Sequence, residues 1–207
     1  QTTALYKFAK EGSMEELATV PVLADYDRGF KLCAVHQQTQ RSYALGEADE
    51  GNQALVLFDT HLQVIATVEA TQHDLDRPIR DVAVHGDQVL VLTSDDHAKG
   101  SGLRLLDLDG RFLRTIATGR FMNPRAVAVS HGGAFVVDDD DDEQGTVLHV
   151  IDIQSGDIMQ RVRVHLSSVT AENTRGLTAI CVSGDEIYIA DYGAGKVLVL
   201  LYAGSET

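Results

Sequence analysis

Apolar residues in this chain come in short runs, and the runs recur. Residues 186–201 read EIYIADYGAGKVLVLL: an apolar run over 187–190, then Asp191, the turn Tyr192-Gly193-Ala194-Gly195, and a second run from Lys196. Upstream, 177–182 is another apolar run, closed by Ser183-Gly184-Asp185. Short runs rich in β-branched residues and broken by Gly and Asp predict strands joined by tight turns. The three runs therefore form an antiparallel meander.

The same meander occurs three more times. Its third strand ends at Phe8, Phe58, Leu106, Ile151 and Leu200, at successive intervals of 50, 48, 45 and 49 residues. An all-strand repeat of roughly 40–50 residues is the signature of a propeller built from four-stranded blades. Each unit begins with an inner strand: FKLCAV (30–35), RDVAV (80–84), AVAV (126–129) or LTAICV (177–182). These runs are nearly all apolar and are expected to be buried on both faces. A polar turn leads to the second strand (SYALG, QVLVLT, AFVVD or EIYIA), an acidic loop leads to the third, and a hairpin leads to the fourth. The fourth strands, VIATV (64–68), FLRTIAT (112–118) and IMQRVRV (158–164), carry more charge, as suits an exposed edge.

The fold class expected is therefore all-β: one domain, a β-propeller of four-stranded antiparallel blades, between four and five blades' worth in all. Full blades are expected over 29–70, 78–118 and 124–165, a three-stranded blade over 174–207, and a partial blade over 1–20. Within that first segment, Ser13-Met14-Glu15-Glu16 also fits a capping box, the alternative being a short helix. The ring would be completed either by residues 1–20 pairing with the last blade or by the remainder of a larger propeller.

The pattern PxxVAV, turn, xVxVxD, Gly-rich loop, xxVxxDxxG resembles that of the NHL-repeat β-propellers. IYIADYGAGKVLVL, and PRAVAV together with LHVIDIQSG, carry the likeness, which covers roughly residues 29–201. The resemblance implies a ring with ligands or partners at one face. The chain has no Trp, so WD40 and kelch signatures are absent.

Composition narrows the partners. With 31 acidic against 17 basic residues, the net charge is −14, which disfavours nucleic acid and anionic membranes and favours cations or a basic surface. No run of about 18 apolar residues exists that would insert in a membrane. Gln1 is not an initiation residue, so a mature product or an excerpt is expected, and an absent targeting segment carries no weight. Cys33 and Cys181 each sit in an inner-strand run, which predicts buried, reduced thiols and slightly favours a reducing compartment.

Two side-chain sets stand out. The loops between second and third strands are acidic: Asp49 and Glu50, Asp95 and Asp96, the run Asp138, Asp139, Asp140, Asp141, Asp142 and Glu143, and Asp191. Crowded carboxylates repel one another and are relieved by sharing a cation, and hard oxygen ligands suit Ca²⁺, with Asp138, Asp140 and Asp142 as candidate ligands. Carboxylates this dense are expected to face solvent or a cation rather than the core. Such runs also arise simply as solvated loops. The basic set is Arg28, Arg80, Arg125 and Arg175, each at or just before an inner strand, hence at the channel mouth. There they would hold an anion, or else bridge blades and pair with the acidic loops. No metal-binding His pair, nucleophile elbow or phosphate loop is present. The favoured function is a non-catalytic interaction or scaffold propeller docking a basic protein or peptide on an acidic loop face. The alternative is a Ca²⁺-dependent propeller enzyme of lactonase or lyase type, with its site at the channel mouth.

Overall fold

The computed structural model describes residues 2–8, 14–21, 30–47, 53–69, 78–94, 100–140, 145–164, 177–191 and 195–202, and these contain strands and turns but no helix. Three four-stranded antiparallel sheets follow one another. The first holds β3 (Phe30–His36), β4 (Arg41–Glu47), β5 (Gln53–Phe58) and β6 (Val64–Glu69). The second holds β7 (Ile79–His85), β8 (Gln88–Thr93), β9 (Gly102–Asp107) and β10 (Phe112–Ile116). The third holds β11 (Pro124–Ser130), β12 (Gly133–Asp140), β13 (Gly145–Asp152) and β14 (Ile158–Val164). A three-stranded sheet closes the series: β15 (Leu177–Ser183), β16 (Glu186–Asp191) and β17 (Lys196–Leu201). Inner strands β3, β7, β11 and β15 neighbour one another in that order, so these are the blades of a β-propeller. At the start of the chain, β1 (Thr2–Phe8) and β2 (Met14–Pro21) form a two-stranded antiparallel hairpin. The capping-box helix does not form, and β1 and β2 pair with each other rather than with β17.

The repeat is exact enough to reproduce its irregularities. Every inner strand is bulged near its start, and the residue left unpaired is Leu32, Arg80, Arg125 or Thr178. Every fourth strand is bulged against the third, leaving Ile65, Leu113 and Met159 unpaired and exposed. A bulge twists an outer strand away from further pairing, which blunts the edge. In the three-to-four hairpins, Oδ1 of Asp59 accepts from the N–H groups of His61 and Gln63, and Oδ1 of Asp107 from those of Asp109 and Arg111. Asp152 accepts from Ser155 in the same way. An Asp is found at this point because its side chain substitutes for a backbone acceptor in the turn.

Burial corrects one expectation. In the first three blades the most buried strands are the second and third, not the inner ones: β5 and β9 are buried almost end to end, whereas β7 and β11 are half-exposed at both turn and bulge. In the second and third blades the middle strands carry a neighbouring blade on either face, while an inner strand also borders the central channel. The fourth strands are mostly exposed, as expected.

Cohesion between blades is apolar. Tyr43, Leu45, Leu55 and Leu57 of the first blade meet Val82, Val89 and Val91 of the second. Leu90, Leu92, Leu103 and Leu105 of the second meet Val127, Val136 and Ile151 of the third. Phe135, Val137, Leu148 and Val150 of the third meet Ile187 and Ile189 of the fourth. Polar ties border the seams: Arg41 Nη1 donates to the Leu108 carbonyl (3.1 Å) and Asp109 (2.7 Å), and Arg114 Nη2 donates to the equivalent carbonyl of Ile153 (2.7 Å). Cys181 is a free thiol, but it is exposed, contrary to the expectation of burial. It lies on the face of the last blade that would meet a following blade, and among the described residues nothing covers that face. The Cys33 side chain lies outside the described residues.

Hairpin glycines seal the same seams. Gly110 (φ +85°) sits where a Cβ would lie 2.7 Å from Val68 Cγ2 of the preceding blade, and at Gly156 (φ +82°) a Cβ would lie 2.9 Å from Ile116 Cγ2. Gly86 has φ +52° but open space around it. Gly86→Ala should cost only the left-handed backbone penalty, about 1 kcal/mol. Gly110→Ala adds overpacking, and is expected to cost roughly 1–3 kcal/mol more. Denaturant midpoints of the two variants check this, and equal losses would contradict the tight seam.

Candidate functional site

Each blade has two ends. The inner strand starts at the upper end and runs down to the one-to-two turn. The second strand returns to the upper end, where it passes to the third. The three-to-four hairpin is again at the lower end. The ends of the second strands and the bulge residues Arg80 and Arg125 thus share the upper end.

At the upper end of the third blade the carboxylates go inward. Asp138 is 1% exposed and Asp139 is 7% exposed, which corrects the expectation that this run faces solvent from its first residue. The reason is hydrogen bonding. Asp138 Oδ1 accepts from the Asn123 N–H (2.7 Å), and Oδ2 accepts from the Met122 N–H (3.0 Å) and from Nε2 of the fully buried His149 (3.2 Å). Three donors satisfy a carboxylate that would otherwise be costly to bury. They also anchor the segment entering β11 and leave little of Asp138 for a Ca²⁺ ion. Asp139 Oδ2 accepts from Arg125 Nε (2.7 Å), and Oδ1 faces the Thr146 hydroxyl at 3.4 Å. Arg125 is therefore held on a neighbouring carboxylate rather than poised over the channel.

Arg80 occupies the equivalent bulge in the second blade; it is half-buried, and its Nε has no hydrogen-bond acceptor among the described residues. Asp49, Glu50, Asp95, Asp96, Asp141, Asp142, Glu143, Arg28 and Arg175, and the side chain of Asp140, lie outside the described residues. Among the described residues no three His, Cys, Asp or Glu side chains converge as a metal site.

Sequence reasoning missed Asp81. It sits inside an apolar inner strand, and its two oxygens accept from the N–H groups of Val82 and, across the seam, Val127, both at 2.8 Å. Burial pushes its carboxyl above the ordinary 3.8, against the pull of those two N–H groups. Burial likewise pushes Asp139 up, opposed by Arg125. Their folded values lie above the unfolded one, so their contribution is complete below pH 3.8 and is lost as pH rises through the folded values. Asp59 and Asp152 act in the opposite sense: backbone N–H groups of Gln63 and Ser155 hold them below 3.8, and their contribution is lost as pH falls through the folded values. An isolated acid in RDVAV, and an isolated His in LHVID, were the available signals for Asp81 and His149.

The lower end is also acidic, which the sequence reading did not notice. Its turns carry Asp59, Asp87, Asp107, Asp109, Asp152, Asp157 and Asp185, against Arg41 and Arg111. The Asx turns described above fix the three-to-four hairpins in place.

Two outcomes are expected. Asp138→Ala strands three buried donors and should cost roughly 2–5 kcal/mol in urea unfolding; a loss below about 1 kcal/mol would contradict the anchoring role. The stability difference between wild type and Asp81→Asn should decline as pH rises above 3.8 and then level, whereas a pH-independent difference would contradict the burial of an ionisable Asp81.

No protein-family model matches the chain, and no curated protein does. Solved structures do resemble it. The Dos1 propeller aligns at a TM-score of 0.54 and 10% identity over 99% of this chain and 55% of that one. Hydrazine synthase of Kuenenia stuttgartiensis aligns at 0.63 and 13% identity, over 97% of this chain and 65% of that one. A putative oxidoreductase (glucose dehydrogenase) of Thermus thermophilus aligns at 0.59 and 19% identity, over 95% of this chain and 73% of that one. The chain thus spans between half and two thirds of the first two. At these identities the likeness shows the fold alone, a β-propeller, shared by proteins described as enzymes and by others that are not.

Proposed function

We propose that this chain is a non-catalytic docking module that holds a basic protein or peptide surface against an acidic end of the propeller. The observation that carries this reading is the excess of acidic over basic residues in the lower turns, displayed on hairpins that Asx bonds hold in fixed positions. A rigid, predominantly negative surface speeds encounter with an opposite charge and selects against acidic partners. The NHL-like repeat pattern supports the reading, since that resemblance implies partners at one face. The buried upper-end carboxylates Asp138 and Asp139 support it too, because each is engaged in holding strands together.

A Lys/Arg-rich peptide titrated onto the protein at low salt tests the proposal. Binding should weaken steadily as salt is raised. Asp87→Lys combined with Asp185→Lys, both at exposed turns, should weaken it by about tenfold, the equivalent of 1.4 kcal/mol. Binding unchanged by salt and by both reversals would overturn the proposal. One tightly held divalent ion per purified chain would favour instead the Ca²⁺-dependent lactonase or lyase reading.

A further inference from the structure

We infer that His61, His85 and His131 make the acidic lower end a proton-gated docking surface, one that holds a basic segment at neutral pH and releases it on mild acidification. This rests on the docking role proposed above and names how that role is regulated.

Topology gathers these histidines as it gathers the acids. His85 closes β7 at the one-to-two turn of the second blade. His131 lies in the same turn of the third blade, between β11 and β12. His61 lies in the three-to-four hairpin of the first blade, between β5 and β6. Each of the three full blades thus places one imidazole at this end. His61 and His131 are exposed and His85 is half-exposed, so a proton reaches each without opening the fold.

Two other histidines of the described residues are held differently. His149 is fully buried against Asp138 at the opposite end. His36 shares the lower end, but it is buried, and its Nδ1 accepts from the Thr39 N–H at 3.2 Å. That bond requires a nitrogen without a proton, so His36 is no part of the gate. At His131 the partner of Nδ1 is the Ser130 hydroxyl, at 2.8 Å. A hydroxyl both donates and accepts, and therefore serves either charge state of the ring.

The charged groups around the three are mostly carboxylates. The His61 N–H donates to Asp59 Oδ1, and Asp87 follows His85 within its turn. Beside His131, the Gly132 carbonyl accepts from the Ile153 N–H, which brings up the hairpin carrying Asp152 and Asp157. The other charges of this end are Arg41 paired with Asp109, then Arg111, Asp107, Asp185 and Glu186.

The size of the effect follows from the count. The seven aspartates and two arginines of the lower turns, with Glu186 at the head of β16, leave six net negative charges while the histidines are neutral. Three imidazolium charges would halve that. Histidine is the side chain whose ordinary titration falls between pH 5 and 8, whereas carboxylates titrate near pH 4. Backbone N–H groups of Gln63 and Ser155 hold Asp59 and Asp152 lower still, so these acids keep their charge while the imidazoles change theirs. Attraction for a basic segment at low salt follows the net charge, and falls with it. By linkage, the bound segment also disfavours proton uptake by the same rings.

The intact chain and a peptide of Lys and Arg residues, whose own charge is constant over this range, test the inference. At low salt the Kd should rise on the order of tenfold between about pH 7.5 and about pH 5.5. Combined His61→Gln, His85→Gln and His131→Asn should reduce that rise to less than about twofold. Asn is chosen because His131 has φ 49°, a left-handed conformation that Asn tolerates. His61→Arg with His85→Arg fixes positive charge at exposed turns, and should weaken binding at neutral pH; it serves if the first variant fails to fold. NMR of the ring protons reads the charge directly, and bound peptide should move the titration of these three histidines to lower pH. If wild type binds equally at both pH values, the gate is overturned while acidic docking stands. If the neutral variant keeps the full pH dependence, other groups carry it and the assignment to these histidines is overturned. If the three rings gain no charge over this range, the gate is overturned whatever the peptide does. If the peptide fails to bind at neutral pH, the docking reading falls and the gate with it.

Discussion

Everything in this structure depends on the packing of one blade's apolar face against the next. No sheet of three or four strands can bury both its faces alone, and the second and third strands here are apolar on both. Each blade is therefore stable only through its neighbours, as in other repeat folds. The polar features at the seams serve that contact. Arg41 and Arg114 reach equivalent carbonyls across consecutive seams, Asp81 caps the Val127 N–H of the next inner strand, and hairpin glycines let the turn of one blade lie against the outer strand of the one before.

Much of this was legible in the sequence. The interval between third strands placed the four consecutive blades, and the Asp that closes the third strand of each of the first three proved to be the acceptor that shapes the following hairpin. Runs of apolar residues located nearly every strand. The run did not say which strand is buried on both faces, because burial depends on position in the sheet rather than on hydrophobicity alone; AVAV and ALVLF look alike but lie at the channel and mid-sheet respectively. Ser13-Met14-Glu15-Glu16 shows the same limit, since a local helix signal yielded to pairing between β1 and β2.

The candidate site was read less well, and for a definite reason. A run of six acids looks like one feature in sequence, but the strand end divides it. Asp138 and Asp139 still belong to β12 and meet backbone N–H groups, His149 and Arg125 there. Equally, the acids of the lower turns are scattered singly along the chain, and only the alternation of strand direction gathers them at one end. Charge clusters made by topology are invisible to a search for charge runs.

The central claim is that apolar packing joins each described blade to the next, whereas the face of the final blade turned away from the third carries exposed side chains among the described residues. Cys181 reports on that face directly, because it is the free thiol that lies on it. The most direct measurement is native-state thiol labelling, with the site of modification read by peptide mass. Cys181 is predicted to react at nearly the rate found in the unfolded chain. Labelling of Cys181 slowed by several orders of magnitude would show that another sheet covers this face, and would contradict the claim.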